Sequence, residues 1–126
     1  MFSHIMVGSN NVDRSQKFYD ALFDAIGGRP GMRDEKGVNY RHNGAMFMVR
    51  PPLNGQAATV SNGSTIGFTL DSPEQVNAWH EAGCGNGGRS CEDPPGIREG
   101  AFGKLYLAYL RDPDGNKLCG LHRPEQ

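Results

Sequence analysis

No apolar run in the chain approaches the roughly 18 residues that a membrane helix needs. The opening Met1-Phe2-Ser3-His4 has neither the basic start nor the apolar stretch of a secretory signal. A cytoplasmic protein with no membrane partner is the expectation. Cysteine is scarce: Cys84, Cys91 and Cys119 are odd in number and show no C-x-x-C spacing, which argues against a disulfide framework or a structural zinc knot. Excess charge is missing too, since 13 Lys and Arg against 14 Asp and Glu leave a net −1. Nothing electrostatic then favours nucleic acid, and a small, roughly neutral molecule or another protein is the expected partner.

What the chain has is glycine, 18 residues of it, scattered between periodic segments as tight turns would require. Residues 2–8 read as a strand closed by Ser9-Asn10-Asn11. From residue 12 to 26 the period changes: Val12, Ser15, Phe18, Tyr19, Leu22, Phe23 and Ile26 recur at three and four, an amphipathic helix stopped by Gly27-Gly28 and Pro30. A weak β-like piece near 31–34 precedes strands at 38–42 and 45–50, joined by the hairpin signal Asn43-Gly44. The turn leaves His42 as its flank.

Residues 53–63 are polar, glycine-rich and aperiodic, and read as a connection. The order then repeats. Residues 64–70 form a strand, and Asp71 or Ser72 caps a helix with Pro73 at its first position, running to about Ala82. A short strand at 89–91 leads into a long loop at 92–103, rich in Pro, Gly and charge, suited to a lid. Strands on either side of Asp112-Pro113-Asp114-Gly115-Asn116, a turn-forming run, close the chain. Segment pairs repeat in residues as well: Ser3-His4-Ile5-Met6-Val7 lies against Ser64-Thr65-Ile66-Gly67-Phe68, and Met48-Val49-Arg50-Pro51 against Leu121-His122-Arg123-Pro124.

A tandem β-α-β-β-β chain of this length, ending in strand, D-P-D-G-N and strand, and carrying Thr65-Ile66-Gly67-Phe68, resembles the vicinal oxygen chelate superfamily of glyoxalases, bleomycin-resistance proteins and extradiol dioxygenases. The resemblance implies an α+β fold: two tandem β-α-β-β-β modules forming a cupped eight-stranded mixed sheet with the helices outside. One domain, residues 1–126, would comprise module 1 (about 1–52), a linker (about 53–63) and module 2 (about 64–126). A homodimer is implied as well.

In that superfamily a divalent metal is held by His on each module's first strand and Glu on its last. Carried over, His4 matches the first ligand position, Thr65 stands where the second His is expected, and Cys119 and Met46 stand at the two Glu positions. Only His4 keeps its usual ligand, so a divalent metal is the one cofactor the resemblance implies and none follows from the residues alone. Hard cations such as Mg and Mn are not served by hydroxyl and thioether.

The expected cavity is lined by His4, Tyr109 and Cys119 as catalytic candidates and by Thr65, Met46, Leu107, Arg98 and Glu99 as substrate-binding candidates. Parity on the last strand turns His122 away from the face of Cys119. Two functions are expected from the resemblance: a lyase, isomerase or dioxygenase with a degenerate metal site acting on a small oxygen-bearing metabolite, or a non-catalytic protein that sequesters a drug or metabolite.

Overall fold

The computed structural model describes residues 1–124 and is α+β, with two helices and two mixed sheets that do not close into a barrel. The first sheet contains β1 (His4–Gly8), β2 (Met32–Arg33), β3 (Val38–His42) and β4 (Ala45–Arg50), in the order β1-β4-β3-β2. The second contains β5 (Ile66–Thr69), β6 (Arg89–Ser90), β7 (Gly96–Gly100), β8 (Gly103–Arg111) and β9 (Lys117–His122), in the order β5-β9-β8-β6 with β7 also on β8. Each module opens with a strand parallel to its last one, β1 to β4 and β5 to β9.

The expected α+β architecture of two tandem modules with the helices outside is present, its strands divided between sheets of four and five with β1 and β5 as their facing edges. One expectation is corrected. Residues 92–103 are not a loop: Gly96–Gly100 pairs antiparallel with β8, and Gly103, at φ +89°, turns the hairpin. The Pro and Gly content that suggested a lid belongs to the approach to this hairpin.

Helix α1 (Val12–Asp24) begins where the Asn11 side chain accepts the Arg14 amide at 3.0 Å. It stops two residues before the apolar period does, because Gly27 enters the left-handed region and Gly28 N–H bonds back to Phe23 O. Helix α2 (Pro73–Gly85) starts with the Ser72 hydroxyl accepting the Gln75 amide, and it runs on past Ala82 through Gly83. That glycine is a contact surface: a Cβ there would lie 2.4 Å from Leu110 Cδ1 of β8. Its missing side chain lets the helix settle on the sheet.

One apolar cluster spans both modules, with Phe18, Tyr19 and Leu22 of α1, Val38 and Val49 of the first sheet, Trp79 of α2 and Leu110 and Leu118 of the second sheet all buried. Phe68 on β5 joins the halves, its ring 6.0 Å from Phe23, 5.6 Å from Phe47 and 6.0 Å from Trp79. Buried side chains of this size each contribute about 1.5–3 kcal/mol.

The Asp112–Asn116 turn stitches the modules as well. Asp112 accepts the amides of Asp114 and Asn116 on one oxygen, and the Tyr19 hydroxyl at 2.6 Å and the Asn116 side-chain amide at 2.8 Å on the other. Asp114 takes the Asn10 amide, the Arg14 guanidinium and the Ser15 hydroxyl at the start of α1. Asn116 donates to Gly8 O at the end of β1. Burial pushes the Asp112 carboxyl up, against the pull of its donors.

Candidate functional site

Strand alternation separates two faces. Ile5 and Val7 of β1 pack toward the core, so His4 and Met6 lie on the other face, beside Met46 and Met48 of β4. In the second sheet Leu110 and Leu118 are core, which leaves Cys119, Tyr109 and Leu107 on the opposite face with Gly67 of β5. Arg98 of β7 pairs with Leu105 and shares that face. The gap between β1 and β5 is bordered from both sides of the sheets, by His4, Met46 and Gly67 of the open faces and by Ile5, Phe47 and Phe68 of the core side.

A cavity of about 210 Å³ occupies that gap. Phe23, Phe47, Phe68, Ile5 and Ile66 make it mostly apolar, while His4, His42 and Thr69 bring polar atoms. The Ser3 hydroxyl sits 2.8 Å from His4 Nδ1 and orients the ring. His42, at the end of β3, lies with its ring centroid 6.0 Å from that of Phe23. Tyr40 also borders the space; its hydroxyl donates to Asp20 at 2.6 Å, and burial with that carboxylate raises its pKa far above the usual phenol range.

Beside the cavity lies a polar cluster. Gly67 lines the cavity and pairs across the ladder with Cys119, which pairs with Tyr109. A Cβ on Gly67 would meet no atom within 4 Å, so the sheet surface above this pair is open there. Cys119 is only 6% exposed, and burial pushes its thiol up. Tyr109 is pushed up by burial and by Cys119 beside it. The Lys117 ammonium stands 4.9 Å from the centre of the Tyr109 ring and is ion-paired with Glu92, which raises its pKa. Glu92 reaches it from a left-handed backbone, φ +59°, a conformation that costs a non-glycine residue.

The structure thus brings His4 and Met46 into one cavity wall, and places Cys119, Tyr109 and Leu107 on the adjoining face with Arg98. Thr65 immediately precedes β5 and is exposed, and the residue that faces Cys119 is Gly67, two positions on. Glu99 alternates to the side away from Arg98 and pairs with Lys104 at 3.5 Å. His122 turns from the Cys119 face and bonds Leu70 O, as strand parity requires.

Sequence reasoning passed over three neighbours and set a fourth, His42, aside as a turn flank. Lys117 was legible in principle, since it shares parity with Cys119. Glu92 was not, because a distant loop in an unusual backbone conformation delivers it. His42 looked like a turn flank, and Gly67 has no side chain to notice.

The residues at the four inherited ligand positions do not fit a hard divalent metal. A buried, protonated thiol at Cys119 and an exposed hydroxyl at Thr65 replace carboxylate and imidazole. The Met46 sulfur accepts from the Arg41 guanidinium at 3.7 Å, placing a cation where a metal would need a donor. Among the described residues, no group of three or more His, Cys, Asp and Glu is placed to hold a metal ion.

A scan against protein-family models and a search of curated proteins each found no match. Solved structures do match. The chain is 58% identical to a glyoxalase/bleomycin resistance protein from Albidiferax ferrireducens T118, with a TM-score of 0.95 over 98% of this chain and 99% of that one. At the level of fold it also matches a glyoxalase-related enzyme from Fulvimarina pelagi, at 20% identity and TM-score 0.76 over 98% of this chain and 88% of that one. A glyoxalase/bleomycin resistance protein/dioxygenase family enzyme from Burkholderia phytofirmans PsJN matches at 14% identity and TM-score 0.72, over 95% and 96%. With full-length identity of this order behind the shared architecture, the chain belongs to the glyoxalase/bleomycin resistance protein family.

Proposed function

We propose that this protein binds a small, largely apolar metabolite bearing an oxygen function, in the gap between β1 and β5, and does so without a metal ion. The observation that carries the reading is the cavity itself: an apolar wall of phenylalanines with a few polar residues, His4, His42 and Thr69, at its lining. That combination is how small-molecule sites are built. Its size narrows the ligand. At about 210 Å³ it lies below the roughly 300–1,000 Å³ of sites for drug-sized molecules, so a metabolite of one ring or an equivalent chain suits it.

Binding is favoured over turnover by the state of the reactive groups. Burial holds the Cys119 thiol and the Tyr109 phenol protonated at neutral pH, so neither is prepared as a nucleophile or base. The one observation on the side of catalysis is the Ser3 contact to His4 Nδ1, which would leave Nε2 to exchange a proton with a ligand oxygen.

The test is the melting temperature of chelator-treated protein with and without 3-phenylpropan-1-ol. Ligand at ten times its Kd stabilises by about 1.4 kcal/mol, a shift of a few degrees for a chain of this size. A shift that appears only when Mn²⁺ or Zn²⁺ is restored would refute metal-free binding.

A further inference from the structure

Away from the cavity, three polar side chains close on one another where α2 meets β6. Val76, Trp79 and Gly83 form the face of α2 that is buried on the sheet. His80 and Cys84 each follow one of these by a single residue, so they stand on one flank of the helix, four residues and about one turn apart. Gly87, at φ +100°, turns the chain back, and Gly88 N–H bonds Gly83 O at 2.9 Å, which brings β6 against the end of the helix. Ser90 on β6 pairs with the core residue Leu110 and so projects to the helix side of its sheet, toward the same flank.

The three residues are in contact. Cys84 Sγ lies 4.0 Å from His80 Nδ1 and 3.9 Å from Nε2, and the Ser90 hydroxyl lies 2.9 Å from Nε2. The Ser90 amide N–H bonds the Cys84 sulfur as well and favours its thiolate, so one residue ties down both neighbours. When the ring gives its Nε2 proton to the Ser90 hydroxyl, Nδ1 is left with its lone pair. Metal-binding histidines are oriented by this kind of partner on the second nitrogen. A tetrahedral zinc, with Zn–S about 2.3 Å and Zn–N about 2.0 Å, holds its sulfur and nitrogen roughly 3.5 Å apart. The separation of Sγ from Nδ1 is close to that, and Cys84 is exposed with His80 half-buried, so a cation reaches both from solvent. Burial lowers the His80 pKa, which leaves the ring unprotonated at neutral pH, and raises that of Cys84, whose proton a thiophilic cation displaces and Mg²⁺ or Ca²⁺ does not.

From this geometry we infer that His80 Nδ1 and Cys84 Sγ chelate one thiophilic divalent cation, Zn²⁺ or Cd²⁺, with Ser90 as the positioning residue and the remaining coordination positions open to water. Binding forms the metal–sulfur and metal–nitrogen bonds and releases the Cys84 proton to solvent. None of the three residues lines the cavity between β1 and β5, so the site is independent of the ligand reading above. With two protein donors rather than the four of a structural zinc site, the cation is held reversibly and is not part of the fold.

The test is a titration of reduced, chelator-treated wild-type protein with Cd²⁺, followed by the thiolate-to-metal charge-transfer absorption. Saturation at one Cd²⁺ per chain is expected, reversed by Zn²⁺ and untouched by a hundredfold excess of Mg²⁺. Cys84→Ser is expected to abolish the absorption and Cys91→Ser to leave it unchanged, while His80→Gln is expected to weaken binding by about tenfold or more. No absorption in the wild type, absorption that survives in Cys84→Ser, or displacement by Mg²⁺ overturns the inference. Undiminished affinity in His80→Gln overturns it too, since the thiol would then act alone. Should a variant fail to fold, alkylation of the wild type decides: saturating Zn²⁺ is expected to slow iodoacetamide labelling of Cys84 at least tenfold, and equal rates with and without Zn²⁺ overturn the inference.

Discussion

At the scale of single residues, Cys119 shows how a motif position and its chemistry can separate. The D-P-D-G-N run marked it as the place where relatives carry a metal-binding Glu, and strand parity put it on the same side as Tyr109; both are matters of spacing, which a sequence displays. Its protonation depends on burial and on Tyr109, Glu92, Lys117 and Arg98 around it; Lys117 shares its strand, but the other three come from three other segments, which no local pattern reveals. The consequence is measurable. Both thiols are pushed up by burial, but Cys84 is exposed and Cys119 buried, so iodoacetamide at pH 7.5 is expected to label Cys84 first and to leave Cys119 at least tenfold slower. Because the pKa is raised, the Cys119 rate is expected to keep climbing at pH values where an ordinary thiol has levelled off. Rapid labelling of Cys119 at pH 7 would mean an activated thiolate and would reopen a catalytic role.

At the scale of elements, the period-two and period-3.6 patterns placed both helices and most strands, with β3, β4 and β9 at the expected limits. The misses have physical causes. Gly83 reads as a helix stop, yet α2 continues because the glycine is needed for contact with Leu110. Gly83→Ala is expected to lower stability despite the ~1 kcal/mol that alanine gains in helix propensity, since overpacking of this kind costs about 1–3 kcal/mol. A urea midpoint at or above that of the wild type would show that Leu110 yields easily. The long-range role of the Asp112–Asn116 turn was likewise invisible, because its partners lie about a hundred residues earlier in the chain. Asp114→Ala removes acceptors from Asn10, Arg14 and Ser15 and is expected to cost about 1.5–3 kcal/mol in thermal unfolding, far more than an ordinary turn residue. A change under 0.5 kcal/mol would reduce the turn to a local device.

At the scale of the molecule, a repeated β-α-β-β-β order was readable because each module buries one helix on one sheet, and amphipathic periods report that directly. How the two sheets face each other was not, since Phe68 decides it by packing against Phe23, Phe47 and Trp79 at once. The same arrangement leaves a gap between edge strands β1 and β5, and that gap is the centre of the functional account. Gly67 offers direct access to it, because a side chain added there projects into open space without backbone strain. The decisive measurement is a calorimetric titration of chelator-treated wild type and Gly67→Leu with 3-phenylpropan-1-ol, alongside their melting temperatures. Saturable one-to-one binding by the wild type, loss of at least tenfold in affinity in the variant, and unchanged stability of the free protein are expected. Equal binding by both, or binding that requires an added divalent metal, would contradict metal-free binding in the gap.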